Sequence, residues 1–202
     1  MKKEFKEYDE ETLQKIQQTE MEILKDFIEV CEKHNLTYFG IAGTGIGALR
    51  HQGFIPWDDD IDVAMPRDDF ERLVRFIEKE KGDKYLIMDT KHYPNYPLMT
   101  TRITMRGTKF KEEALKSIDA PMGIFLDLYP LDKMSDDPKE AKKQARDAWF
   151  WSKILILRSI PFPMLGFTGW KKKVIHAICG LAHLGLKILH VPRLWIYKKA
   201  YE

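Results

Sequence analysis

The chain has little cysteine: only Cys31 and Cys179 occur among 202 residues. That excludes the multi-bridge framework of a small secreted module and fits a reducing compartment, the cytoplasm. The segment from Met1 to Glu10 has no apolar core, so no secretory signal is expected there. Near the C-terminus, the uncharged run extends only from Val174 to Leu186. This is short of the ~20 apolar residues that cross a bilayer. Internal repeats and low-complexity linkers are absent as well, which excludes solenoids and disordered tethers. What remains is a soluble globular balance, 44% apolar and 32% charged, in a length that suits one ordinary domain with a small appendage.

The net charge of +2 hides a division. From Met1 to Pro138 there are 20 Lys and Arg against 28 Asp and Glu, a net of −8; from Lys139 to Glu202 there are 13 against 3, a net of +10. An acidic front suits cation chemistry, and a basic, apolar tail suits an anionic surface. The division suggests a core over 1–138 and a basic helical region over 139–202.

Periodicity supplies the elements. Asp9 is placed to cap a first helix, along which Leu13, Ile16, Glu20, Met21, Ile23, Leu24, Phe27, Ile28 and Cys31 form a mostly apolar stripe, with Asn35 at its end. Leu36–Ala42 reads as a buried strand, and Gly43-Thr44-Gly45-Ile46-Gly47 as a turn that permits positive φ or close approach to a ligand. Asp60–Val63 alternates acidic and apolar residues as a strand does. Pro66 then opens a helix carrying Phe70, Leu73, Val74 and Ile77 on one face. Further strands are expected at 85–88, 98–105 and 123–129, and helices at 138–157 and 170–190. Strands interleaved with helices define an α/β or α+β domain.

Four aspartates among five residues, Asp58, Asp59, Asp60 and Asp62, follow Trp57. In a strand, Asp60 and Asp62 share a face about 6.5–7 Å apart along the chain. Their repulsion is relieved by a divalent cation. With a glycine-dense segment just upstream, the combination points to metal-assisted chemistry on a phosphate. A calcium loop is excluded. Counted from Asp58, its sixth position is Val63 rather than Gly and its twelfth is Asp69 rather than Glu. No Gly-Lys-Ser/Thr closes a P-loop either.

The block from Ala42 to Asp62, Ala-Gly-Thr-Gly-Ile-Gly-Ala-Leu-Arg-His-Gln-Gly-Phe-Ile-Pro-Trp-Asp-Asp-Asp-Ile-Asp, resembles the signature of the LicD family. Met65-Pro-Arg-Asp-Asp-Phe70 and Met122-Gly-Ile-Phe-Leu-Asp-Leu-Tyr-Pro-Leu-Asp132 resemble its later runs. Ala42 stands where the family has the first of paired glycines, and Gly45 where it has an apolar residue. The resemblance implies a DNA polymerase β-like nucleotidyltransferase fold, a mixed sheet flanked by helices. It also implies transfer of phosphocholine, or another phospho-alcohol such as ribitol phosphate, from a CDP-activated donor. The acceptor is a hydroxyl of a cell-surface glycan or a lipid-linked precursor, as in lipopolysaccharide or teichoic acid. Carried over residue by residue, Asp60, Asp62 and Asp127 are the catalytic carboxylates and hold Mg²⁺ or Mn²⁺. Gly43, Thr44, Arg50, His51 and Arg102 contact donor phosphate.

Two rival readings stay open. One is transfer of the nucleotidyl group itself; the other is a catalytically silent, membrane-associated binding protein. Trp57, Tyr93, Tyr96 and Tyr129 are possible walls of a cage for a quaternary ammonium, although core packing explains each of them. The lysines and Trp170 ahead of Val174 suit a helix lying at lipid headgroups, which gives peripheral membrane contact through 170–190 at the inner face. Nucleic acid is not expected, since the acidic front repels its backbone.

Overall fold

The computed structural model describes residues 8–164, 166 and 168–201; residues 1–7 of the segment read above for a signal lie outside them. Contacts divide the chain into two compact units. The first comprises the chain up to Ile87 with Arg102–Lys109 and Gly123–Asp132; the second comprises Met88–Thr101, Phe110–Met122 and the chain from Lys133 onward. Segments 88–101 and 110–122 thus cluster with the basic C-terminal region.

The first unit opens with α1 (Glu10–Lys33), whose N-cap Asp9 accepts from the Thr12 backbone N–H at 2.8 Å. Ile16, Glu20, Ile23, Phe27, Val30 and Cys31 are its buried face. Asn35, at φ 51°, follows the helix in the left-handed region that asparagine tolerates. Five strands make one mixed sheet in the order β1-β2-β5-β4-β3, with β1 Phe39–Gly40, β2 Asp62–Pro66, β3 Tyr85–Met88, β4 Thr101–Met105 and β5 Phe125–Leu131. β1 is antiparallel to β2, and β2 is parallel to β5, with Asp62 opposite Asp127. The core combines α1 residues Ile23, Phe27 and Val30 with Val63, Met65, Leu126 and Leu128 of the two central strands. On α3 (Arg67–Glu80), Phe70, Leu73 and Ile77 are buried as the period required.

Several expectations are corrected. The buried strand at 36–42 shrinks to the exposed edge pair Phe39–Gly40, because Ala42 adopts φ 46° and turns the chain into a helix. The glycine segment is that helix rather than a turn: α2 spans Ala42–Arg50. None of its glycines has positive φ, and their use is close packing. A Cβ on Gly47 would lie 2.4 Å from the Gly53 carbonyl oxygen. β2 begins at Asp62, so Asp60 precedes the strand, and Pro66 ends β2 while α3 starts at Arg67. β4 and β5 begin at Thr101 and Phe125, later than the alternation suggested.

In the second unit, Asp137 caps α4 (Pro138–Ser159), accepting from the Lys139 N–H, with Pro138 in the first turn. α5 is Gly169–Ile188, and α6, Arg193–Tyr201, was not foreseen. Leu155, Ile196 and Tyr197 make one small core, and Met88, Tyr96, Leu115, Ile118 and Ile160 another. No residue of α5 is fully buried. No single helix among the described residues is long and apolar enough to cross a membrane. α5 and α6 together pass by length and composition but bend by 109° at their break.

Candidate active site

The N-terminus of α2 is fastened to the start of β2. Ile41 N–H donates to the Asp62 carbonyl at 3.1 Å, and Asp62 N–H donates to the Thr44 hydroxyl at 2.8 Å. Asp127 N–H in turn donates to the Ile61 carbonyl at 2.9 Å. This short chain of bonds brings Gly43, Thr44, Asp62 and Asp127 together. The loop before β2 is held from above by α1, where the Gln17 amide donates to the Asp58 carbonyl at 2.9 Å. A Cβ on Gly43 would sit 2.3 Å from the Asp58 carboxylate and would displace it.

Carboxylates crowd this place. Asp58, Asp59 and Asp60 can each present an oxygen within 4.8 Å of the others. Asp62 and Asp127 are buried on adjacent parallel strands. Burial, then the charges of Asp62, Asp58 and Asp59, push Asp60 up to about 7. Burial and Asp59 raise Asp58; burial raises Asp62, against the opposing influence of the Tyr129 hydroxyl and Arg102. Burial and the neighbouring carboxylates also raise Tyr129. Asp127 is compensated, since Arg102 Nε donates to its Oδ1 at 2.9 Å in a buried ion pair, with the guanidinium over the Phe125 ring.

One acid was not singled out from the sequence. Glu20, on the buried face of α1, is 1% exposed, and burial followed by Asp60, Asp59, Asp58 and Asp127 raises it to about 9. Its signal was legible as a charged residue at a core position of an apolar stripe. Helical periodicity alone does not say which neighbours that position meets.

Of the residues expected at the site, the structure gathers Asp60, Asp62, Asp127, Gly43, Thr44 and Arg102 in the first unit. Arg102 is engaged by Asp127, so a phosphate would have to compete for it. Arg50 and His51 lie at the opposite end of α2, about 9 Å along its axis from Thr44, and both are exposed. Trp57 is exposed, while Tyr93 and Tyr96 pack in the core of the second unit.

The donor set fits a hard divalent cation. Asp58, Asp59 and Asp60 offer only oxygen and repel one another, and two buried carboxylate oxygens of the same unit, Glu20 Oε2 and Asp62 Oδ1, accept no hydrogen bond among the described residues. Beside the cluster is a mainly apolar cavity of about 310 Å³, lined by Met21, Leu24, Ala48, Phe54, Ile61 and Asp58 among others.

A five-stranded mixed sheet flanked by helices, with Asp62 at the start of β2 opposite Asp127 of β5, defines an α/β protein. The profile described as "LicD/FKTN/FKRP, nucleotidyltransferase domain" matches residues 35–162, and the chain belongs to the LicD family. Over 129 residues, 63% of this chain and 47% of its counterpart, it is 35% identical to the lipopolysaccharide cholinephosphotransferase LicD of Haemophilus influenzae. Over 72 residues it is 44% identical to an uncharacterized protein of Rickettsia prowazekii and 36% identical to one of Rickettsia typhi, covering 27% and 23% of their lengths. The matched part thus spans about half or less of these curated relatives. No solved structure matches the chain.

Proposed function

We propose that this chain is a Mg²⁺- or Mn²⁺-dependent transferase on a DNA polymerase β-like nucleotidyltransferase fold. It moves phosphocholine, or another phospho-alcohol such as ribitol phosphate, from a CDP-activated donor to a hydroxyl of a cell-surface glycan or its lipid-linked precursor. What carries this reading is the convergence of Asp60, Asp62 and Asp127 beside the N-terminus of α2 in a chain of this family. The name of the Haemophilus relative supports choline as the first alcohol to test.

Asp60 and Asp62 hold the cation, with Tyr129 directed at the Asp62 carboxylate. Once bound, the cation supplies neutralisation of the donor's pyrophosphate and of the departing CMP. The backbone N–H groups of Gly43 and Thr44, at the positive end of α2, orient the phosphates. Arg102 fixes Asp127, which lies opposite Asp62 and is placed to accept the proton of the attacking hydroxyl. The acceptor oxygen bonds the distal phosphorus in line as the bond to CMP breaks.

The basic tail supports peripheral docking at the inner membrane face. On α5, Trp170, Val174, Ile178, Leu181, Leu184 and Ile188 recur at helical spacing, and all are exposed. Lys171, Lys172 and Lys173 sit at its start, and α5 contains no acid. Such docking brings the enzyme to lipid-linked acceptors.

Calorimetric titration of CDP-choline with and without Mg²⁺ tests the donor site, with CDP-ribitol, CDP-glycerol and CMP as comparators. Cation-dependent binding is expected. A folded protein that binds none of them sinks the reading in favour of a silent binding protein. Release of pyrophosphate rather than CMP during turnover would instead identify nucleotidyl transfer.

A further inference from the structure

α1 buries a glutamate where its pattern calls for leucine or isoleucine. Ile16, Glu20, Ile23, Phe27 and Val30 occupy one face, and all are buried. A carboxyl at such a position opposes folding unless it is neutralised, hydrogen-bonded or bound to a metal. Among the described residues no cation pairs with Glu20, and its Oε2 accepts no hydrogen bond. The charges that act on it most strongly are acidic: Asp60, Asp59 and Asp58 from the loop before β2, and Asp127 from β5. Gln17, one turn earlier on α1, spends its amide on the Asp58 carbonyl, which seats this face of the helix on the acidic loop. The other orphaned oxygen of the region, Asp62 Oδ1, belongs to the same group of carboxylates.

We infer that Glu20 is a further carboxylate ligand of the cation held by Asp60 and Asp62, contributed by a helix that the acidic motif does not include. The inference rests on the cation reading of those two aspartates. A helix-borne ligand ties the packing of α1 to occupancy of the site, so the cation stabilises the fold of the first unit as well as the donor complex. It also accounts for Glu20 being tolerated in the core: the bound ion takes the place of the missing donors.

The test uses the full chain, with Mn²⁺ and Mg²⁺ as probes. Cation affinity is read by calorimetry, and Tm is read in EDTA and at saturating Mg²⁺, for the wild type, Glu20→Gln, Glu20→Leu and Asp60→Asn. In EDTA, Glu20→Gln and Glu20→Leu are expected to melt above the wild type, because each removes a buried carboxyl. With cation, both are expected to bind about 10–100-fold more weakly and to gain less Tm than the wild type. The Gln variant keeps the shape of the site, and the Leu variant keeps the apolar face of α1, so a packing defect in one is exposed by the other. Wild-type Mn²⁺ affinity and an undiminished Tm gain in both variants, with binding lost in Asp60→Asn, overturn the role of Glu20 alone. Absence of cation binding in the wild type overturns the Asp60–Asp62 reading together with it.

Discussion

The first unit buries a cluster of carboxyl groups, whereas the second exposes an apolar helix face. Glu20, Asp62 and Asp127 are all under a tenth exposed in the first, while Trp170, Leu181 and Leu189 of the second are each more than 70% exposed. Both features oppose folding. Buried carboxylates lose hydration, and an exposed apolar stripe leaves its area in water. Their signs differ too, since no Asp or Glu occurs between Asp147 and Glu202. The first unit crowds oxygen donors together, with Arg102 engaged by Asp127, and the second leaves the apolar face of α5 exposed beside lysines. A cation and an anionic bilayer are the complements that the proposed function assigns to those two features.

That contrast breaks most sharply at the acidic loop. Asp60→Asn or Asp62→Asn is expected to reduce transfer by at least about 10²-fold while the protein stays folded and binds vesicles as before. Activity assays beside circular dichroism check this, and retained transfer removes the carboxylates from the chemistry. Next in size is a buried charge that is already matched. Arg102→Met strands Asp127 and is expected to cost about 3–5 kcal/mol, measured by urea unfolding. Adding Asp127→Asn to that variant is expected to recover much of the loss. Recovery would show that the cost lies in the orphaned charge rather than in contact with Phe125.

Acidity separates the units further. Glu20 and Asp60 are raised to about 9 and about 7 from ordinary values of 4.5 and 3.8. The folded state therefore holds protons that the unfolded chain has released. Without divalent cation, their contribution to stability is fully present below about pH 4 and is lost as pH rises through 7 towards 9. Each such proton contributes a slope of about 1.4 kcal/mol per pH unit. Tm measured across this window in EDTA is expected to fall with rising pH, and saturating Mg²⁺ to flatten the fall. A Tm that climbs from pH 5 to 8 in EDTA contradicts this electrostatic picture. The smallest effect concerns the second unit. Replacing Ile178 or Leu181 with Ala is expected to weaken binding to anionic vesicles by about tenfold each. Cation affinity should be unchanged, with flotation and calorimetry read side by side.

Much of the site was legible because its signals are local. Asp60, Asp62, Gly43 and Thr44 fall within one short stretch, which the structure brings together, and the roles expected of them come from the resemblance to the family. The Asp9 cap, the period of α3 and the start of α4 at Pro138 were legible for the same reason. α6 was not. Its buried residues, Ile196 and Tyr197, are defined by packing with Leu155 of α4, a contact that no local period encodes. The glycine segment misled because glycine usually marks positive φ. Here it serves close approach, and the positive φ falls on Ala42.

By itself the sequence determined which residue types were available: an acidic motif, a glycine-dense stretch before it, and a basic, acid-free tail. The tertiary structure alone decided which of them meet. Pairing β2 with β5 sets Asp62 opposite Asp127, folding β4 beside β5 gives Asp127 to Arg102, and the packing of α1 brings Glu20 to the acidic loop. The physical reason is that spacing along a chain fixes only neighbours within a helical turn or a strand repeat. Contacts between distant segments are chosen by burying the whole core at once, and at Glu20 that choice placed a carboxyl group where the local pattern expected an apolar side chain.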